Sequence, residues 1–184
     1  MTQTERPSQP DAQPEPDAAQ RSRTFSWTDP AEVRLAALNG LDGLGQLRAM
    51  ASGEIPAPPV MVMLGLEGLE PEHGRVGIAL TPQEFHYNAL GTVHGGIIST
   101  LLDTAAGCAV HSVLPAGTSY TSIDLNVKFL RPVTLASGTL RCEGTVVQRG
   151  RRTAYAEAKL TDAAGRLAAH ATSSCLLFEL PPTS

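Results

Sequence analysis

The chain has 184 residues, a formal net charge of −4 and 4% aromatic residues, enough for one domain with its own core and too acidic and aromatic-poor for a nucleic-acid partner or an anionic membrane surface. No apolar run reaches the roughly 18–20 residues of a membrane span, and the opening MTQTERPSQP lacks the apolar core of a signal peptide. Three cysteines, Cys108, Cys142 and Cys175, show no metal spacing and suit reduced thiols in a cytoplasmic protein.

Residues 1–24 are rich in Pro, Gln, Asp and Ser, which predicts a disordered tail. Asp29-Pro30 reads as an N-cap followed by Pro at the first helical position. A short helix through Val33, Leu35, Ala36 and Leu38 would end at Gly40. Leu41 to Ser52 predicts a second helix, weakened by Gly43 and Gly45. Pro56, Pro58 and Pro59 close this region, so residues 25–58 read as a helical extension ahead of a domain over 59–180. Val60–Leu69 and Arg75–Thr81 are expected strands, parted by a turn at Pro71–Gly74.

A loop follows from Pro82 to about Val93. The next segment predicts a helix from Gly95 to Val113, apolar on most faces and hence buried on most sides, and stopped by Pro115-Ala-Gly117. Four strands are then expected, over Ser119–Leu130, Gly138–Gln148, Thr153–Thr161 and Arg166–Phe178. Ala163-Ala-Gly165 is the hairpin turn between the last two. The order of elements predicts an α+β fold, an antiparallel sheet wrapped around one long buried helix.

The chemistry concentrates between His86 and Asp103. An acid among Ile97, Ile98, Leu101, Leu102, Ala105 and Ala106 costs several kcal/mol to bury unless it is paired, on the order given for buried charges, so Asp103 is a candidate for catalysis. Gly95 and Gly96 open the helix, where free N–H groups and the positive dipole end can stabilise an oxyanion. The Asn88 amide is a second donor. Asp103 could act as general base or as nucleophile. Gly95 and Asp103, however, are eight residues apart, about 12 Å along a helix and about 80° around it. Two antiparallel helices across a two-fold axis solve this, each giving its N-terminus to the other's acid, which predicts an obligate dimer.

Arg149, Arg151 and Arg152 surround Gly150 between two strands, and Arg131 precedes Pro132; guanidinium groups suit bidentate phosphate contacts. His73, His86, His111 and His170 lack metal-ligand spacing, and no G-x-S-x-G elbow is present.

Asn88-Ala-Leu-Gly-Thr-Val-His-Gly-Gly, Asp103-Thr-Ala, the run Tyr120 to Pro132 and the later Gln148-Arg-Gly-Arg-Arg-Thr153 together resemble the hotdog-fold acyl-CoA thioesterases of the PaaI (phenylacetate-degradation thioesterase) type. The likeness covers about Pro59 to Phe178. It implies an acyl-CoA thioesterase in which Asp103 activates water or attacks the thioester. The Gly95 N–H would polarise the carbonyl with help from Asn88, His94 would orient the loop or meet the thioester, Ser122 would place the water, and Thr104 would position the acid. The segments holding Phe129, Leu130, Arg131 and Pro132, and Arg149, Gly150, Arg151, Arg152 and Thr153, would border the nucleotide end of CoA, with Gly96 beside the pantetheine arm. The resemblance also implies a homodimer with one continuous sheet and a dimer of dimers, with acyl-CoA as substrate and no metal or other cofactor. Two other readings of the same residues are an enoyl-CoA hydratase or dehydratase using His94 and Asp103, and a module that binds acyl-CoA without turning it over. The acyl pocket is expected between the loop, Val60–Leu66 and the buried helix. The N-terminal helices would either add to an oligomer interface or cover part of the acyl channel.

Overall fold

A computed structural model describes residues 20–37 and 40–180. The expected disordered tail lies outside these residues up to position 19. Within it, Arg21 pairs with Glu84, and the Arg23 guanidinium lies 4.0 Å over the Phe85 ring while donating to the Val62 and Met63 carbonyls. Helix α1, Pro30–Ala37, starts as its sequence predicts, with Asp29 Oδ1 accepting the Ala31 N–H at 2.8 Å. Helix α2, Gly43–Ser52, is capped by Asp42, which accepts the Gly45 N–H at 2.7 Å. Gly43 is pressed so closely on the long helix that a Cβ there would lie 1.8 Å from the His111 carbonyl oxygen.

The expected strand Val60–Leu69 is corrected. Its first half is a helix, α3, Pro59–Leu64, and only its second half enters β1, Leu66–Glu72. Pro59 supplies helical φ at the first position, and Gly65, at φ 72°, ends the helix in a left-handed cap. Short apolar runs carry no period that tells helix from strand.

The remaining elements are β2 (Arg75–Leu80), α4 (Gly95–His111), β3 (Thr118–Ser122), β4 (Asn126–Phe129), β5 (Leu140–Arg149), β6 (Thr153–Thr161) and β7 (Leu167–Glu179). The sheet runs β1-β2-β5-β6-β7-β3, with β4 also on β7, and these neighbours pair antiparallel. The single strand expected over Ser119–Leu130 is thus broken in two. Between the pairs Ser122↔Cys175 and Asn126↔Thr172, the first chain has one residue more than the second, which forms a bulge. Asp124 fills the gap, its carboxylate accepting the Ser174 N–H at 3.0 Å and its carbonyl the Ser173 hydroxyl at 2.9 Å.

The sheet curls around α4, whose Leu101, Leu102, Ala105, Ala106, Ala109 and Val110 are fully buried. Opposite stand Ala154, Ala156, Ala158, Ala169 and Ala171 of β6 and β7, also buried. Small side chains on both surfaces let helix and sheet approach closely. The closest approach is at Gly144 of β5, where a Cβ would lie 2.1 Å from the Ala105 carbonyl oxygen. Because that neighbour is backbone, no side chain can yield. Gly144→Ala is expected to destabilise by about 1–3 kcal/mol, and calorimetry should show Tm falling by roughly 2–4 °C per kcal/mol. An unchanged Tm would contradict this contact.

Among the described residues, the sheet leaves one side of α4 open. Gly96, Ser99, Thr100, Asp103, Thr104, Cys108 and His111 are all partly or fully exposed along it. Cys142 and Cys175, in contrast, lie in the core. Burial pushes the Cys142 thiol up to about 12. Among the described residues no helix is long and apolar enough to cross a membrane.

Candidate active site

The loop before α4 is held from both sides. A one-turn 3₁₀ helix at Glu84–His86 buries His86, whose Nδ1 accepts the Gln83 N–H and whose Nε2 faces the Leu64 carbonyl, each at 3.0 Å. Burial lowers the pKa of this imidazole below its ordinary value, in keeping with a neutral ring that donates from Nε2. The His86 carbonyl then accepts the His94 N–H at 2.8 Å, and Tyr87 pairs with Val93 across the loop. Tyr87 also accepts the Leu135 N–H on its hydroxyl at 2.8 Å.

Within this frame Asn88 forms a turn. Its Oδ1 accepts from Leu90 N at 2.8 Å and Thr92 N at 3.3 Å, and its Nδ2 donates to the Thr92 hydroxyl at 3.1 Å. The amide has two N–H bonds, so one is left for a ligand. His94 is the N-cap of α4, with Nδ1 accepting the Gly96 N–H at 2.8 Å. A Cβ on Gly96 would lie 2.9 Å from that nitrogen, so the second glycine makes room for the cap. The Gly96 N–H is thereby occupied, whereas the Gly95 N–H has no acceptor among the described residues. Gly95 packs under Phe129, with 3.2 Å between a Cβ position and the ring tip. Asn88, Gly95, Phe129, Leu130, Arg131 and Pro132 line one cleft of about 320 Å³. Val93, tied by its N–H to the Val133 carbonyl at 2.8 Å, closes its floor.

Asp103 lies elsewhere. It is half-buried rather than sealed among apolar side chains, because it sits on the uncovered side of α4. Ser122 on β3 donates to its Oδ1 at 2.9 Å and is its one hydrogen-bond donor among the described residues. Ser122 therefore orients the acid. Thr104 is half-buried beside it, its hydroxyl without a partner among the described residues. Nearby Tyr120 has its phenol pKa raised well above the ordinary value, by burial first and then by neighbouring acidic groups including Asp103, so it is protonated at neutral pH.

The arginines fall into two groups. Phe129, next to Arg131, pairs with Ala169 of β7, whereas Thr153 at the other turn pairs with Leu176. These are seven residues apart on one strand, about 23 Å at roughly 3.3 Å per residue. Within one chain Arg131 therefore does not join Arg149, Arg151 and Arg152, which flank Gly150 on an exposed hairpin. None of the four guanidinium groups meets a carboxylate among the described residues. Ser122 pairs with Cys175, so Asp103 and the hairpin share one end of β7 while Asn88, Gly95 and Arg131 share the other. The candidate residues of one chain thus fall into two separate groups.

Sequence reasoning did not single out Thr92, which holds Asn88 and lines the cleft, nor the part of Tyr87 in fixing the loop. The Asn88-x-x-x-Thr92 spacing of an Asx turn is a signal that could have found the first.

Comparison with known proteins gives the same architecture. The family description "Thioesterase superfamily" matches residues 90–169. Human acyl-coenzyme A thioesterase 13 is 31% identical over 97 residues, 52% of this chain and 68% of that protein. A phenylacetic acid degradation-related protein of Ralstonia eutropha JMP134 superposes with TM-score 0.63 at 30% identity, covering 71% of this chain and 98% of that one. The chain belongs to the thioesterase superfamily. A Halobacterium salinarum protein with a provisional esterase name is 48% identical over 69 residues, and there the match spans 44% of the relative's length. As a hotdog-fold member of the PaaI type, this thioesterase is a thioester hydrolase, and the match takes in Gly95, His94, Asp103, Ser122 and Arg131.

Proposed function

We infer that the protein hydrolyses an acyl-CoA to a carboxylic acid and free CoA, at sites each assembled from two protomers. The observation that carries this is the separation of the half-sites: a free N–H at Gly95 and a spare Asn88 N–H at one end of the chain, an oriented carboxylate at the other. An uncovered stripe on α4 and a sheet that ends at β3 lie between them. Two copies related by a two-fold axis would pair β3 with β3 and set the helices antiparallel, bringing Gly95 of one to Asp103 of the other.

There the Gly95 N–H and Asn88 Nδ2 polarise the thioester carbonyl and stabilise the oxyanion. The opposing Asp103, held by Ser122, takes a proton from water as the water oxygen bonds to the carbonyl carbon. Collapse of the tetrahedral intermediate breaks the C–S bond, and the sulfur leaves as CoA thiolate and is protonated. Attack by Asp103 itself, through an anhydride, would use the same geometry. Arg131 at the cleft mouth, and the Arg149–Arg152 hairpin of the opposing protomer, offer unpaired cations to the CoA phosphates. No metal or redox cofactor is called for, since coenzyme A is part of the substrate. His94 spends Nδ1 on its own helix, which disfavours the hydratase reading, where it would face the acyl Cα–Cβ bond. The test is thiol release from a series of acyl-CoAs, run beside hydration of crotonyl-CoA. Release of thiol from at least one substrate is expected. Hydration without release, or neither, would overturn the assignment.

A further inference from the structure

We propose that the cavity under the N-terminal helices receives the tail of an aliphatic acyl group, so that this extension sets the chain length accepted; the proposal rests on the thioesterase reading above. The cavity measures about 470 Å³, within the roughly 300–1,000 Å³ of small-ligand pockets. Val33 of α1, Leu47 and Met50 of α2, Ile55, His111 and Leu180 line it, and none of its described lining residues is Phe, Tyr or Trp. It adjoins the C-terminal end of α4, away from the Gly95 cleft.

One face of α4 and strand β3 beside it lead from the acid to this cavity. The side of α4 left open by the sheet passes from Asp103 and Thr104 to Cys108 and then, under α2 and beside the Tyr120 ring, to His111, positions that follow one another on a helix face. No charged side chain stands on the stripe after Asp103. His111 closes it as a neutral ring: its Nε2 meets Gln46 Oε1 of α2 at 2.9 Å, and burial lowers its pKa. Strand β3 runs alongside in the opposite sense, with Ser122 on Asp103, Tyr120 against Gly107 and Thr118 in the cavity wall beside His111. Eight residues separate Asp103 from His111, about 12 Å. An extended hydrocarbon advances ~1.25 Å per carbon, given bonds of about 1.5 Å, so roughly ten carbons bridge the acid and the cavity. Shorter or single-ring acyl groups would stop on the way. A tail that arrives exchanges water for aliphatic walls, which favours it by transfer of each methylene.

The experiment compares kcat/KM for dodecanoyl-CoA and butanoyl-CoA in the wild type and in Met50→Trp, which fills the cavity from α2. The wild type should prefer dodecanoyl-CoA, and the ratio of the two constants should fall at least tenfold in the variant. A wild-type preference for butanoyl-CoA, or an unchanged ratio in a folded variant, overturns the proposal. If circular dichroism shows Met50→Trp unfolded, Val33→Trp, entering from α1, replaces it. Absence of thiol release from any acyl-CoA would be a failure of the thioesterase reading, and the cavity is then read by equilibrium binding of dodecanoic acid. Binding that weakens at least tenfold in the variant supports the tail site, and no binding to the wild type overturns it.

Discussion

Asp103→Asn is expected to lower kcat for thiol release by about two to four orders of magnitude, the range for loss of a general base. The substitution keeps the shape of the side chain and an oxygen that can accept the Ser122 hydroxyl, now 2.9 Å from Asp103 Oδ1. It removes only the charge and the capacity to take a proton. Because Asp103 is half-buried on an open helix side, the fold should tolerate the change, and Tm should stay within a few degrees. The loss should appear in kcat with little movement in KM, since the acid acts in the transition state. A folded variant retaining more than a fifth of wild-type kcat would show that this carboxylate is not the base or nucleophile.

Gly95→Pro should have an effect of similar size through a different group. Proline deletes one N–H and is well accepted at the first position of a helix. It also requires an extended residue before it, and His94 is already there at φ −60° and ψ 136°. The added ring meets Phe129, which is 54% exposed and so free to move aside. Loss of an oxyanion donor predicts a fall in kcat of about 10²–10³. Gly95→Ala makes the same contact with Phe129 and keeps the N–H, so it should lose only a few-fold; equal losses in the two variants would assign the effect to packing. Mixed after subunit exchange, Asp103→Asn and Gly95→Pro chains should recover about a quarter of wild-type activity. Half of the dimers would then be mixed, and each would hold one site of two with both halves intact. Absence of recovery would mean that both residues serve a site within one chain.

Elements with strong local signals were legible in the sequence. The helix from Gly95 has its glycines and an apolar repeat, and the β6–β7 turn has Gly165, at φ 75°. What was not legible depends on distant partners. The break between β3 and β4 follows from the register of β7 and from Asp124, neither visible in the alternation of Ile123, Leu125, Val127 and Phe129. The helix Pro59–Leu64 is too short for its period to show. In the proposed site, the acid and the helix start were singled out by residue type, and a second copy was inferred from their spacing on one helix. The choice between capping and contact at His94 required coordinates. So did the separation of Arg131 from the Arg149–Arg152 hairpin, since both sit at strand ends and only β7 tells which end.

The two core cysteines, Cys142 and Cys175, bear on how such an enzyme lives with its own product. Each turnover liberates a thiol that, once oxidised to a disulfide, can exchange with protein sulfur, and exchange runs through the thiolate form of the protein's sulfur. With Cys142 pushed up to about 12 by burial and Cys175 also raised, a thiol of pKa 12 is ionised about once in 10⁵ at neutral pH. Disulfides formed from that product therefore find little thiolate at these two positions, whereas Cys108 stands on the partly exposed side of α4. A colorimetric thiol reagent added to the folded protein should leave these two cysteines uncounted.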